Sequence, residues 1–171
     1  MQLIFLVETN KQTKSDNSYI KSIIDYHYHL DGNKITFIEM NGKANFQKKE
    51  SEIERLSNRY NGETFVIYCL DLDYSPNPFD NNYTLNLNKQ IECFAKNKNR
   101  ELIWFNEDIE DVMLGRKIPR KDKKREAIIF ASKMKYKEVS IESLSNRDFL
   151  RIRHTSNLLL VIDQFLRRKN I

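Results

Sequence analysis

The chain has 171 residues, of which 40% are hydrophobic and 31% are charged, and this composition favours one globular domain over a disordered chain. No apolar run is long enough to cross a bilayer, so we expect a cytoplasmic protein without a membrane partner. The net charge of +5 is uneven, −5 over residues 1–115 and +10 over residues 116–171, which predicts a basic surface for a polyanion beside an acidic half suited to cations.

Four short apolar runs alternate with helical patterns along the first 110 residues. The runs predict strands at residues 2–7, 34–40, 64–70 and 101–105. Hydrophobic residues at helical spacing predict the helices between them, at residues 16–30, 49–60 and 86–96. This order predicts an α/β fold of TOPRIM or Rossmann type, with a mostly parallel four-stranded sheet flanked by helices.

The remaining residues, 111–171, are less regular and strongly basic. They predict a mainly helical extension packed on the 1–110 core as part of the same domain, with helices at residues 126–134 and 157–168. The basic end of the last helix suits the negative end of a helix dipole. The two cysteines, Cys69 and Cys93, lie in apolar stretches and predict buried free thiols.

Three acidic residues stand where strands end. Glu8 follows the first strand, and Asp71 and Asp73 follow the third. Residues two apart in an extended segment point to the same side, so both aspartates can reach one cation. If the first and third strands are neighbours, Glu8 faces the same point. Hard carboxylate ligands favour Mg²⁺ or Mn²⁺.

This order of strands and acids resembles the TOPRIM domain of topoisomerases, primases and several nucleases. That family has a glutamate after its first strand, a glycine after its second and an Asp-x-Asp after its third, matched here by Glu8, Gly42 and the run Asp71-Leu72-Asp73. The resemblance covers residues 1–110. One departure is Thr9, where the family usually has glycine. The small size resembles the TOPRIM nucleases of bacterial defence systems, such as the overcoming-lysogenization-defect and RloB-like groups.

The resemblance implies a Mg²⁺-dependent nuclease that hydrolyses phosphodiester bonds in DNA or RNA, with a role in phage defence and a separate ATPase as partner. Asp71 and Asp73 would hold the metal, and Glu8 would be a ligand or a general acid or base. Glu107 and Glu110 are candidates for a second metal site, or simply first-turn acids that complement a helix dipole.

Cations near the same edge of the sheet are candidates for nucleic-acid contacts. The first group consists of Lys11, Lys14 and Lys43. The densest basic patch lies in the loop at residues 115–124, with Arg116, Lys117, Arg120, Lys121, Lys123 and Lys124. Such a loop would bind the phosphate backbone without reading sequence, although a merely solvated loop has the same composition.

Two alternatives stay open. Asp-x-Asp after an apolar strand also occurs in haloacid-dehalogenase phosphatases and sugar-nucleotide glycosyltransferases, but neither explains Glu8. The other alternative is a non-catalytic module that keeps the fold and the basic surface for binding nucleic acid or a partner.

Overall fold

The computed structural model describes residues 1–9, 13–73 and 78–170, with the backbone alone for residues 78–81. The strands are β1 (Gln2–Val7), β2 (Tyr28–His29), β3 (Lys34–Glu39), β4 (Thr64–Asp71), β5 (Glu101–Phe105) and β6 (Arg167–Arg168). The α-helices are α1 (Ser15–His27), α2 (Glu50–Asn58), α3 (Pro78–Asn97), α4 (Ile109–Leu114), α5 (Lys123–Ser132), α6 (Ile141–Leu144) and α7 (Leu158–Ile162). Two 3₁₀ helices lie at Lys43–Lys49 and Lys135–Lys137.

The main sheet has four parallel strands in the order β3-β1-β4-β5, which confirms the predicted α/β fold. β1 and β4 are direct neighbours, with Val7 paired to Cys69. Because all four strands run in one direction, their carboxyl ends lie at one edge of the sheet, which we call the carboxyl edge. In open α/β sheets this edge is where ligands bind.

Both faces of the sheet are covered, as the continuous apolar run of β1 predicts. Leu3 and Phe5 pack into one core with α1, α4, α5 and α7, whereas Ile4 and Leu6 pack into a second core with α2 and α3. Alternate side chains of a strand point to opposite faces, so one buried strand serves both cores. Burial on both faces leaves only the strand ends for polar side chains.

Residues 111–170 pack on the core that contains Leu3 and Phe5. Phe130 of α5 stacks edge-on against Tyr19 of α1, with 4.8 Å between ring centroids. After α6, the chain pairs with the outer edge of β5, and Asn106 N–H donates to Thr155 O. The side-chain amide of Asn157 accepts from Trp104 N–H and donates to Leu102 O. This segment satisfies backbone groups that an edge strand would otherwise expose.

The predicted helix at residues 157–168 is wrong over most of its length, because α7 ends at Ile162. Tertiary contacts turn the chain back at this point. Asp163 accepts hydrogen bonds from Tyr28 Oη at 2.8 Å and from Arg168 Nε at 2.6 Å, and Arg168 pairs with Tyr28 in the β2–β6 ribbon. The same ribbon ends α1 at His27, three residues before the predicted end. The basic tail therefore does not cap a helix.

The composition also led to predictions about the two cysteines and about membrane-spanning segments. Cys69 is a buried free thiol, as predicted, but Cys93 is an exposed free thiol, which corrects the prediction for that residue. Across the described ranges, no helix combines the length and the apolar character that a membrane span needs.

Candidate metal centre at the carboxyl edge

An acidic pocket of about 640 Å³ opens at the carboxyl edge, between the ends of β1, β3 and β4. Its walls include the three predicted acids Glu8, Asp71 and Asp73, together with Asp16, Arg120 and Lys123. The predicted juxtaposition depends on strand order. Because β1 lies beside β4, the Asp71 backbone N–H donates to Glu8 Oε1 at 2.8 Å.

Glu8 and Asp71 are held in place by backbone donors. Glu8 accepts two such bonds. Asp71 N–H donates to its carboxylate, and Gly42 N–H donates to its backbone carbonyl at 2.7 Å. Asp71 Oδ1 accepts from Ile109 N–H at 3.0 Å, at the start of α4. The Glu8 carboxylate is thus fixed by the end of β4, and the Asp71 carboxylate by the start of α4.

Burial raises the pKa of Glu8 to about 8; Lys43 lowers it, and the charges of Asp73 and Asp16 raise it further. Burial also raises the pKa of Asp71 well above its usual range, with additional repulsion from Glu8 and Asp16. Desolvation and like charges both disfavour ionised carboxylates. Burial and mutual repulsion therefore favour the protonated form of these acids, and a cation entering the pocket would favour their ionised form.

Asp73 is placed differently from the other two acids. It is exposed, has a left-handed backbone with φ of 50°, and its carboxylate lies 2.8 Å from Lys43 Nζ. Lys43 is buried and also donates to Asp71 O. The sequence suggested Lys43 as a phosphate contact. The structure places its ammonium group against Asp73 and the Asp71 carbonyl, where it is an internal counter-ion beside the acidic pocket.

Within residues 1–9, 13–73 and 78–170, no three acidic, histidine or cysteine side chains form a ready-made metal-binding group. The contacts above give the reason, since Glu8, Asp71 and Asp73 each turn toward a different donor. In donor chemistry, however, the residues fit a hard divalent cation, because carboxylate oxygens are its usual ligands and the pocket wall brings four acidic side chains together.

Asp16, in the first turn of α1, lines the pocket and was not among the predicted site residues. Its carboxylate accepts from Thr9 N–H at 3.1 Å and from Ser15 Oγ at 3.0 Å. Burial raises its pKa, and those hydrogen bonds oppose the rise. A general rule could have found it: the first turn of a helix that follows a parallel strand lies at that strand's carboxyl end.

Thr9 and Gly42, in the turns after β1 and β3, differ in backbone conformation. Thr9 is not among the residues with positive φ, so the turn after β1 does not require the glycine that TOPRIM domains usually have. Its hydroxyl lies 2.6 Å from that of Thr13. Gly42 has a φ of 98°, a conformation that favours glycine, and this accounts for a glycine after β3.

The second-metal candidates Glu107 and Glu110 do not lie in the pocket wall. Glu110 is fully buried behind it and pairs with Lys123 Nζ at 2.7 Å. Burial raises the pKa of Glu110 to about 7, and Lys123 opposes the rise. Glu107 instead pairs with Lys117 at 2.6 Å and lies 3.9 Å from Arg153.

The remaining predicted nucleic-acid contacts differ in their partners and in their distance from the pocket. Arg116 pairs with Glu126 at 2.8 Å. Arg120 lines the pocket and makes no ion pair with any residue that the structure describes. Lys14, Lys121 and Lys124 are exposed, and Lys11 lies outside the described residues. Arg120 is thus the predicted cation best placed to reach an anion in the pocket.

No protein-family model matches the chain, and neither the curated proteins nor the solved structures give a match.

Proposed function

We propose that the protein is a divalent-metal-dependent nuclease that hydrolyses phosphodiester bonds in DNA or RNA at the acidic pocket. The observation that supports this most is the meeting of Glu8 with Asp71 across neighbouring parallel strands, at the edge where α/β proteins bind ligands. The resemblance to TOPRIM domains supplies the reaction class.

In this proposal, Glu8 and Asp71 hold Mg²⁺ or Mn²⁺, and Asp73 joins them once it leaves Lys43. The bound cation polarises the scissile phosphate and stabilises charge on the leaving oxygen. Arg120, which faces the pocket without an ion-pair partner among the described residues, contacts the phosphate. Lys123 neutralises Glu110 behind the pocket wall. Asp16 fixes the loop after Glu8 through Thr9.

The wider setting follows the resemblance. We place the protein in the cytoplasm, with nucleic acid as its substrate and a separate ATPase as its partner in defence against phage. The two free thiols are compatible with a reducing compartment.

The decisive assay incubates the protein with labelled single- and double-stranded DNA and RNA in Mg²⁺, Mn²⁺ or EDTA. We expect cleavage in the first two conditions and none in EDTA. Hydrolysis of small phosphate esters without action on polymers would instead support another Asp-x-Asp phosphate-transfer enzyme. Salt-sensitive binding without turnover in any metal would support a non-catalytic binding module, a candidate that the Lys43–Asp73 ion pair favours.

Replacing Lys43 with methionine tests its role as an internal counter-ion. We expect Mn²⁺ to bind about tenfold more tightly to this variant in calorimetry, because Asp73 is freed and the pocket loses a competing cation. Lys49→Met is the matched control, since Lys49 lies in the same 3₁₀ helix and pairs with Glu52. If Lys43→Met instead lowers the affinity for nucleic acid and leaves the affinity for Mn²⁺ unchanged, Lys43 is a phosphate contact rather than a counter-ion.

A further inference from the structure

A loop between α6 and α7 presents arginine and aliphatic side chains side by side. Leu150 is 53% exposed and Ile152 is 47% exposed, and Arg147, Arg151 and Arg153 are exposed as well. We call residues 147–154 the arginine–aliphatic loop. Two exposed aliphatic side chains within three residues, flanked by arginines, form a short segment of mixed apolar and positive character.

The arginine–aliphatic loop is anchored at the carboxyl edge. Asn106, directly after β5, donates from its side chain to Phe149 O at 2.6 Å and from its backbone to Thr155 O at 2.9 Å. His154 Nδ1 lies 2.9 Å from Asp111 Oδ2. The loop is therefore held at Phe149 and just after its last residue by Asn106, beside the strand that neighbours β4, and its His154 contacts α4.

Glu107 joins this loop to the acidic pocket and to the basic 115–124 segment. Its backbone carbonyl accepts from Asp73 N–H at 3.1 Å. Its carboxylate pairs with Lys117 of the basic segment and lies 3.9 Å from Arg153. One glutamate thus brings two basic segments, far apart in sequence, to one side of the pocket.

The mixed chemistry of the loop indicates which polyanion it fits. Arginines contact phosphates of any nucleic acid. Arginine guanidinium planes also stack on unpaired bases. Exposed aliphatic side chains gain from contact with an apolar surface, which the faces of unpaired bases provide and a duplex keeps inside its stack. Arg151 makes no ion pair with the residues that the structure describes, so its charge is available to a ligand.

We infer that the arginine–aliphatic loop binds an unpaired nucleic-acid strand and leads it toward the acidic pocket. One part of the inference, that the strand is led toward the pocket, rests on the proposed function, since the pocket is where that strand would be cut. It assigns single-stranded or frayed nucleic acid as the preferred substrate class.

The test measures fluorescence anisotropy of a labelled single strand and of its duplex, in EDTA and over a series of salt concentrations. Ile152→Ser should weaken single-strand binding about fivefold and leave duplex binding unchanged. Arg151→Ala should weaken both and lower the slope of log affinity against log salt by about one. The matched controls are Ile128→Ser, an isoleucine exposed by 57% on α5, and Arg59→Ala, an exposed arginine at the end of α2.

Equal loss of single-strand and duplex affinity in Ile152→Ser would overturn the preference for unpaired strands. Unchanged affinity for nucleic acid in both loop variants would overturn the inference altogether. A protein would then be the better candidate for the partner of this surface. Because binding is measured in EDTA, its outcome does not depend on metal-dependent cleavage. A protein that binds as expected but never cleaves would refute only the proposed function.

Discussion

Replacing Asp71 with asparagine should lower the rate of metal-dependent cleavage by about 1000-fold and leave the fold intact. Asparagine keeps the oxygen that accepts from Ile109 N–H, so the start of α4 retains its bond to β4. The substitution removes one negative charge from a pocket where Glu8 and Asp16 already repel it. The loss of activity would therefore reflect the missing charge toward the metal rather than unfolding.

The measurement is the single-turnover cleavage rate in Mn²⁺, with thermal unfolding as a check on the fold. Asp31→Asn is a suitable control, because Asp31 is an exposed aspartate with a left-handed backbone that asparagine tolerates, and it pairs with Arg167. Cleavage at the wild-type rate by the folded Asp71→Asn protein would remove Asp71 from the active site and refute the proposed metal centre.

Replacing Glu8 with glutamine should stabilise the metal-free protein by about 2 kcal/mol above pH 8. The folded protein holds the Glu8 proton up to a pKa of about 8, whereas the unfolded chain releases it near 4.5. Between those values the unfolded chain binds fewer protons, so the stability of the wild type falls as the pH rises. Glutamine keeps the acceptor for Asp71 N–H but carries no charge, so this contribution to the pH dependence disappears.

Denaturant unfolding at a series of pH values in EDTA measures this difference. Mg²⁺ should restore stability to the wild type above pH 8 and have a smaller effect on Glu8→Gln, because binding to the folded state alone stabilises it. Glu54→Gln, on the exposed side of α2, serves as the control. The prediction is contradicted if the wild-type free energy of unfolding stays level or rises between pH 5 and pH 8 and Glu8→Gln is no more stable than the wild type. Glu8 would then not have a raised pKa in the folded protein.

The four strands of the main sheet and the helices between them were predictable because the signal is local. The start of α3 was not, since this helix begins at Pro78 rather than at residue 86, and neither β2 nor the 3₁₀ helix Lys43–Lys49 was predicted. The buried faces of α1 and the alternation of β1 between two cores follow directly from hydrophobic spacing. The meeting of Glu8 with Asp71 needed only one further assumption, that the first and third predicted strands are neighbours, and the order β3-β1-β4-β5 meets it.

Side-chain partners were not predictable in the same way. Lys43 and Asp73 are thirty residues apart, and nothing in either local sequence indicates that one neutralises the other. The position of Asp16 in the pocket wall follows from chain order, because the helix after β1 begins near the carboxyl end of that strand. Its bond from Thr9 N–H is a detail that only the structure shows.

Hydrophobic periodicity and strand direction leave few alternatives, so the amino-acid sequence was enough to predict the α/β architecture and the edge at which the acids gather. The end of α7 at Ile162, where Asp163 binds Tyr28 and Arg168, and the ion pair of Lys43 with Asp73 became apparent only in the folded chain. Hydrogen bonds and ion pairs between distant segments are worth as much as local helix propensity, and they form only after the sheet has set which segments meet.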